Sequence, residues 1–172
     1  MSKVLGARAC NTEYERSAAD GPAVDALAIA AFEEFRDAYN DWPRFSKIIS
    51  SMASLNQSGE IIVAESEEAG IVGAVGYIGP HKPKSAFFKP EWPIMRMLVV
   101  APTARGCGIG HRLADECVQR AQRDHAPLLA LHTTPIMKIA LPMYERMGFK
   151  FYSEAPTIFG VPYGIYIKHL DA

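Results

Sequence analysis

The segment VVAPTARGCGIGHRLADECV, Val99 to Val118, constrains this chain more than any other. Gly106, Gly108 and Gly110 stand between an apolar run and an amphipathic helical pattern, directly after Arg105. A helix N-terminus exposes N–H groups that have no partner inside the helix, and it carries about half a positive charge, so it suits an anion. Side chains at these positions would stand between the amides and a bulky diphosphate. Hydrogen leaves room and permits left-handed backbone. Hydrogen bonds of about 1 kcal/mol net, or about 1.5–3 to a charged group, add up to an anchor and not a catalyst. The plain alternative is a tight strand-to-helix turn. Two familiar phosphate loops do not fit: there is no G-x-x-x-x-G-K-(S/T), and G-x-G-x-x-G starting at Gly106 would need glycine where His111 stands. A Rossmann dinucleotide domain would also begin with such a unit, whereas here it lies past the midpoint. Nucleotide hydrolysis and hydride transfer fall behind.

A chain of 172 residues fits one compact domain. The formal net charge of -1 gives no broad basic face for nucleic acid, and a small or weakly charged partner fits better. Cys10, Cys107 and Cys117 are odd in number and form no Cys-x-x-Cys pair, which disfavours a disulfide framework and a zinc site. No metal is expected. With no long apolar run at the start or elsewhere, neither secretion nor membrane spanning is expected, and a cytoplasmic location is the default.

Strand-like and helix-like segments alternate along the chain. A short strand is expected around Val4 to Cys10, then a helix opened by Pro22 with Val24, Leu27, Ala28, Ala31, Phe32 and Phe35 on one face. Asp41 is a candidate N-cap for a second helix, with Trp42 as a staple and Phe45, Ile48, Ile49 and Met52 on its apolar face. EIIVAES and GIVGAVGYIG read as a hairpin, PHKPKSAFFKPEWP as an exposed loop, and Ile94 to Val100 as the next strand. After the glycines, Ile109, Leu113, Ala114, Cys117, Val118 and Ala121 share a helix face. APLLALHT reads as a buried strand, Ile136 to Met147 as a helix that Pro142 should kink or delay, and the remainder as two strands turning near Gly160. The class is mixed α/β.

MLVVAPTARGCGIGHRLADECVQRA resembles the acetyl-CoA signature of the GNAT superfamily of N-acetyltransferases, (Q/R)-x-x-G-x-(G/A) at a helix start after a splayed strand. Arg105, Gly108 and Gly110 match it, and Pro102 fits its usual preface. Downstream, MYERMGFKFY resembles the family's LYEKLGF segment, and LHTTPIMKIALPMYERMGF resembles a subgroup with histidine, threonine and methionine in this spacing. The resemblance spans about Ile94 to Tyr152. It implies a single GNAT-like α/β domain over 1–172, with a mixed, mostly antiparallel sheet of about six to seven strands, a splayed central pair and about four flanking helices.

It also implies acetyl-CoA as acyl donor and a primary amine as acceptor, with a homodimer as a further expectation. Leu98, Val99 and Val100 would pair their backbone with the pantetheine arm, the Leu98 N–H facing the thioester oxygen. Gly106, Cys107, Gly108, Ile109, Gly110 and His111 would hold the pyrophosphate, with Arg105 beside it. Tyr144 matches the family tyrosine aimed at the sulfur, and a phenol of pKa about 10 can donate a proton at neutral pH. The plain alternative is a core tyrosine beside Met143 and Met147. Many relatives carry a glutamate base where Ile94 or Arg96 stands, and this chain does not. Glu91, close by in the loop, and His132, at the end of the next strand, are the candidates, against a solvated carboxylate and a structural histidine.

The loop Gly79 to Pro93, with His81, Lys82, Lys84, Lys89, Phe87, Phe88 and Trp92, could serve an amine that also bears a carboxylate or an aromatic group, the plain alternative being a solvated basic loop. Phe35, Tyr39, Trp42 and Phe45 would form the opposite wall. Cys107, between two glycines at a helix start, is a candidate oxidation-sensitive thiol. The competing class is an acyl-CoA-binding module of the same fold that lacks turnover.

Overall fold

The computed structural model describes residues 21–171. The strand expected over Val4 to Cys10, and Cys10 itself, lie outside the described residues. Helix α1 (Gly21–Phe32) opens with Pro22 in its first turn, where a missing N–H costs nothing. It buries Val24, Leu27, Ala28, Ala31 and Phe32. The chain then tightens into a 3-10 turn over Glu33–Ala38, so Phe35 leaves that face and packs only partly. Helix α2 (Trp42–Ile49) is capped as expected, the Asp41 carboxylate accepting from the Arg44 N–H at 3.1 Å. Ile48 corrects the expected apolar face. It is 48% exposed, because two turns of helix bury only Phe45 and Ile49, and Met52 joins the core from the following 3-10 turn.

Strands β1 (Glu60–Ser66) and β2 (Gly70–Ile78) form the expected hairpin, Gly70 supplying the positive φ of its turn. β3 (Ile94–Val100) adds antiparallel to β2. Helix α3 (Ile109–Arg123) buries all six of its predicted apolar residues. β4 (Leu128–Thr133), helix α4 (Ala140–Arg146), β5 (Lys150–Ile158) and β6 (Val161–His169) complete a six-stranded sheet of order β1-β2-β3-β4-β6-β5. β3 and β4 are the one parallel pair in it. The helix expected from Ile136 starts only at Ala140, which leaves Pro142 in its first turn, where the ring is tolerated.

Each sheet face has its own core. On one, Leu113, Ala114, Cys117 and Ala121 of α3 pack on Val75, Met95, Leu129 and Leu131. A Cβ on Gly73 would meet Ile109 and Leu113 at 2.9 Å, so this glycine sets how closely α3 approaches β2. On the other face, Val24, Ala28, Phe45 and Met52 cover Val63, Ala74 and Val99. Each fully buried Val, Leu, Phe or Met side chain among these contributes about 1.5–3 kcal/mol. The Asn40 N–H donates to the Phe159 carbonyl at 2.9 Å, tying the α1–α2 connection to the β5–β6 hairpin.

The centre of the sheet is open. β3 and β4 share one ladder pair, Ile94 with Ala130, reinforced by the Ala130 N–H on the Pro93 carbonyl at 3.1 Å. Beyond it the strands part. On its other side β3 bulges: Arg96 pairs Gly76 and Val99 pairs Ala74, so Met97 and Leu98 both stand opposite Val75, with Met97 at φ +56°. Such a bulge bends and twists its strand.

Candidate active site

A cleft of about 620 Å³ runs from the opened edge of β3 to the start of α3. Leu98, Val99 and Val100 line one end, and Arg105, Gly106, Gly108, Ile109, Gly110 and His111 the other, with Met143 and Arg146 of α4 and Phe32 and Phe35 closing the sides. Every expected donor-binding residue except Cys107 lines it. Cys107 is exposed, and its thiol turns back toward the Arg105 carbonyl, 4.0 Å away.

The residues fit a diphosphate. Gly106 and Gly108 have φ of +81° and +77°, and nothing lies within 4 Å of where their Cβ atoms would be. That is open space in front of the α3 amides. No acidic residue occupies the first turn of α3, so its positive end is not already neutralised. Gly110 differs: a Cβ there would touch Val100, Met143 and Leu98 at 3.7–4.0 Å, ordinary packing distance.

Arg105 does more than supply charge. Its Nη1 lies 2.5 Å from Glu34 Oε1 and its Nη2 donates to the Ala31 carbonyl at 3.2 Å. The guanidinium braces the glycine loop against α1 and the turn after it, a contact invisible in the loop sequence.

Tyr144 is buried on α4, edge-on to Phe149 with ring centroids 5.9 Å apart. Burial, with the Cys117 sulfur nearby, pushes its phenol well above the ordinary value, so it stays protonated. Among the described residues, the buried side-chain oxygen without a hydrogen-bond partner is Thr134 Oγ1. The Tyr144 hydroxyl makes no hydrogen bond with a described residue either. Its neighbour Met143 lines the cleft.

His132 sits on β4 just past the last ladder pair. Phe87, Phe88 and Tyr163 surround it at centroid distances of 5.4, 5.8 and 5.4 Å. Burial, and secondarily the Arg96 charge, lower its pKa to about 4, so the ring is neutral at pH 7. Glu91 is the other candidate for the base. It is exposed on the loop, where its charge acts on Lys84, whose Nζ ties the loop together by donating to the carbonyls of Gly79 and Pro90 at 3.2 and 3.0 Å. The loop itself is less exposed than its prolines suggest, because Phe88 and Trp92 are buried at 3% and 6%. Of the proposed opposite wall, Tyr39 and Phe45 are stacked in the core, their ring centroids 3.9 Å apart.

Two features escaped the sequence. The Tyr39 and Tyr163 hydroxyls meet at 2.5 Å across 124 residues, a pairing that no local pattern announces. Arg96 is half-buried beside His132, and its signal was the departure from the family's glutamate already visible at this strand.

A second, more polar cavity of about 690 Å³ lies by Gly59, Gly79 and Asp124, at the far end of α3 from the glycines. Arg123 there pairs with Glu60 and Asp124, and the Tyr77 hydroxyl donates to Asp124 at 2.8 Å. No group of three or more His, Cys, Asp or Glu side chains among the described residues could hold a metal ion. No described helix is long and apolar enough to cross a membrane.

Comparisons with known proteins agree with this geometry. N-alpha-acetyltransferase 30 of Saccharomyces cerevisiae is 31% identical over 121 residues, covering 67% of this chain and 57% of that protein, so the chain spans a little over half of that relative's length. Among solved structures, a Corynebacterium glutamicum protein described as histone acetyltransferase HPA2 and related acetyltransferase shares the fold at TM-score 0.69 and 21% identity, over 92% of this chain and 95% of its own. A GNAT family acetyltransferase from Elizabethkingia anophelis with acetyl-CoA bound superposes at TM-score 0.64 and 18% identity, over 93% and 99%. The model of the acetyltransferase (GNAT) family matches residues 23–149. That span takes in both the glycine cradle and the opening between β3 and β4, and on it the chain belongs to the GNAT family of acetyltransferases.

Proposed function

We propose that this chain is an N-acetyltransferase that moves an acetyl group from acetyl-CoA to a primary amine of a small molecule or peptide, by direct attack in a ternary complex. One observation carries the reading: a single cleft joins the open cradle at Gly106 and Gly108 to the unpaired edge of β3. When bound, acetyl-CoA supplies a thioester already activated toward an amine.

The chain's own residues divide the work. Amides from Gly106 through His111 bind the diphosphate, and Arg105, held by Glu34 and Ala31, fixes the loop and adds a cation. The β3 edge at Leu98 to Val100 holds the extended arm by backbone pairing, with the Leu98 N–H as donor toward the carbonyl oxygen. Tyr144 keeps a proton on its hydroxyl for the departing thiolate.

His132 is neutral and can accept the amine's proton directly or through a water. Its pKa of about 4 makes it a weak base. Against a lysine-like amine of pKa about 10.4, full transfer would be uphill by about 9 kcal/mol. His132 therefore works on an amine that arrives neutral, or takes the proton once bond formation has made the nitrogen acidic. The name of the yeast relative, an N-alpha-acetyltransferase, supports an amine acceptor.

The test is acetyl-CoA binding followed by thiol release with a panel of amines. Binding with amine-dependent release supports the reading; binding with no release leaves an acyl-CoA-binding module.

A further inference from the structure

Arg96 stands on β3 at the mouth of the opening. Its cross-strand partner on β2 is Gly76, and two residues earlier Ile94 makes the last ladder pair with Ala130, so Arg96 and His132 flank the gap as the strands part. A Cβ on Gly76 would point at Leu55, on the sheet face away from α3, and cross-strand partners share a face. Arg96 is therefore directed to the side that also carries Phe87, Phe88 and Tyr163 around His132.

The other partly buried arginines among the described residues have carboxylate partners. Arg105 has Glu34, and Arg120 has Glu60 and Glu116. Arg96 is half-buried and makes no ion pair or hydrogen bond with any described residue. Withdrawing a guanidinium from water without a counter-charge is costly, and an anion in the same pocket offsets that cost. A planar five-donor fork matches a carboxylate in bidentate fashion.

We propose that Arg96 receives a carboxylate of the acceptor, so that the amine acetylated here belongs to a molecule that also bears a carboxylate: a free amino acid, or a peptide whose second residue is acidic. This rests on the acetyltransferase reading above. On a strand where many relatives place a basic carboxylate, at Ile94 or Arg96, it assigns Arg96 the opposite charge and a different task, orienting the acceptor. The rings of Phe87, Phe88 and Tyr163 around His132 make that side of the opening apolar. A carboxylate on Arg96 also offsets the charge that weakens His132 as a base.

The experiment is steady-state thiol release with paired acceptors: L-phenylalanine against L-phenylalaninamide, L-methionine against L-methioninamide, and Met-Asp-amide against Met-Asn-amide. Wild type, Arg96→Gln and Arg96→Glu are compared, each checked for acetyl-CoA binding by calorimetry. Amide formation changes the amine's own pKa, so the quantity read is the change in the carboxylate-to-amide ratio of kcat/KM between wild type and variant. The expected result is a fall in that ratio of at least about tenfold in Arg96→Gln, mainly through KM, and a larger fall in Arg96→Glu. A fall in the amino-acid pairs or in the peptide pair identifies the source of the carboxylate. An unchanged ratio in every pair overturns the proposal while leaving the acetyltransferase reading standing. Release with no amine at all, or no acetyl-CoA binding by wild type, overturns that reading and the proposal with it. If the variants fail to fold, the wild-type order decides: lysinamide used as well as the carboxylate-bearing acceptors overturns the assignment.

Discussion

Ile94 on β3 and Ala130 on β4 form the one ladder pair between the two central strands. The bulge at Met97 and Leu98 turns β3 away from its neighbour past that point. Buried backbone N–H and C=O groups are nearly always paired, so an edge opened inside a sheet calls for a partner that the sheet does not supply. An extended, amide-bearing arm lying along Leu98 to Val100 is such a partner, and the cleft continues from there to the glycine cradle.

Gly108→Val should weaken acetyl-CoA binding by at least about tenfold. The variant forces a β-branched residue to φ +77°, a strained conformation costing about 1–3 kcal/mol, and places carbon in the space before the α3 amides. Gly110→Ala is the control. Its Cβ would sit at 3.7 Å from Val100 without a positive φ, so affinity should be nearly kept. Calorimetric titration of both variants checks this, and normal affinity in Gly108→Val would contradict the cradle.

Tyr144→Phe should lower kcat by about 10²- to 10⁴-fold, the range of a lost proton donor, with little change in acetyl-CoA affinity. Its hydroxyl makes no hydrogen bond with a described residue, so the melting temperature should barely move. Parallel loss of binding and turnover would mark Tyr144 as structural.

Much of this was legible beforehand, for identifiable reasons. α3 is long and strongly periodic, and its six apolar positions are all buried. The hairpin and the last two strands announced themselves by β-branched runs and turn glycines. Short elements were harder to read. In α2, two turns bury only two side chains, which puts Ile48 in solvent, and Pro142 delays α4 to Ala140. Contacts between distant segments left no local trace: the Arg105–Glu34 brace, the Tyr39–Tyr163 pair, and the burial of Phe88 and Trp92 in a proline-rich loop. Arg96 was visible as a departure from the family pattern. Only the fold reveals that its charge lacks a counter-charge among the described residues.

His132 makes stability depend on pH in a defined direction. Its folded pKa of about 4 lies below the ordinary 6.5 because the buried ring resists charging. Its contribution is fully present above pH 6.5, where both states are neutral, and is lost as pH falls from 6.5 toward 4, where the unfolded chain binds the proton first. At pH 5 the loss from this group is about 2 kcal/mol. His132→Asn should therefore lose less stability than wild type between pH 7 and pH 5 in chemical denaturation; identical losses would count against the buried neutral ring.

Tyr39→Phe leaves the Tyr163 hydroxyl without its partner in a region where both rings are under 10% exposed. The cost should be about 1–3 kcal/mol, and the Tyr39→Phe, Tyr163→Phe double variant should cost less than the two singles added. A denaturant double-mutant cycle with no coupling would show that the 2.5 Å contact contributes nothing.

The cleft between β3 and α3 is the proposed acetyl-CoA site. Calorimetric titration of the purified chain with acetyl-CoA, beside desulfo-CoA, NAD and ATP, decides it. Micromolar binding of the two CoA compounds and none of NAD or ATP is the expected result. Absence of CoA binding would contradict it and reduce ARGCGIG to a strand-to-helix turn.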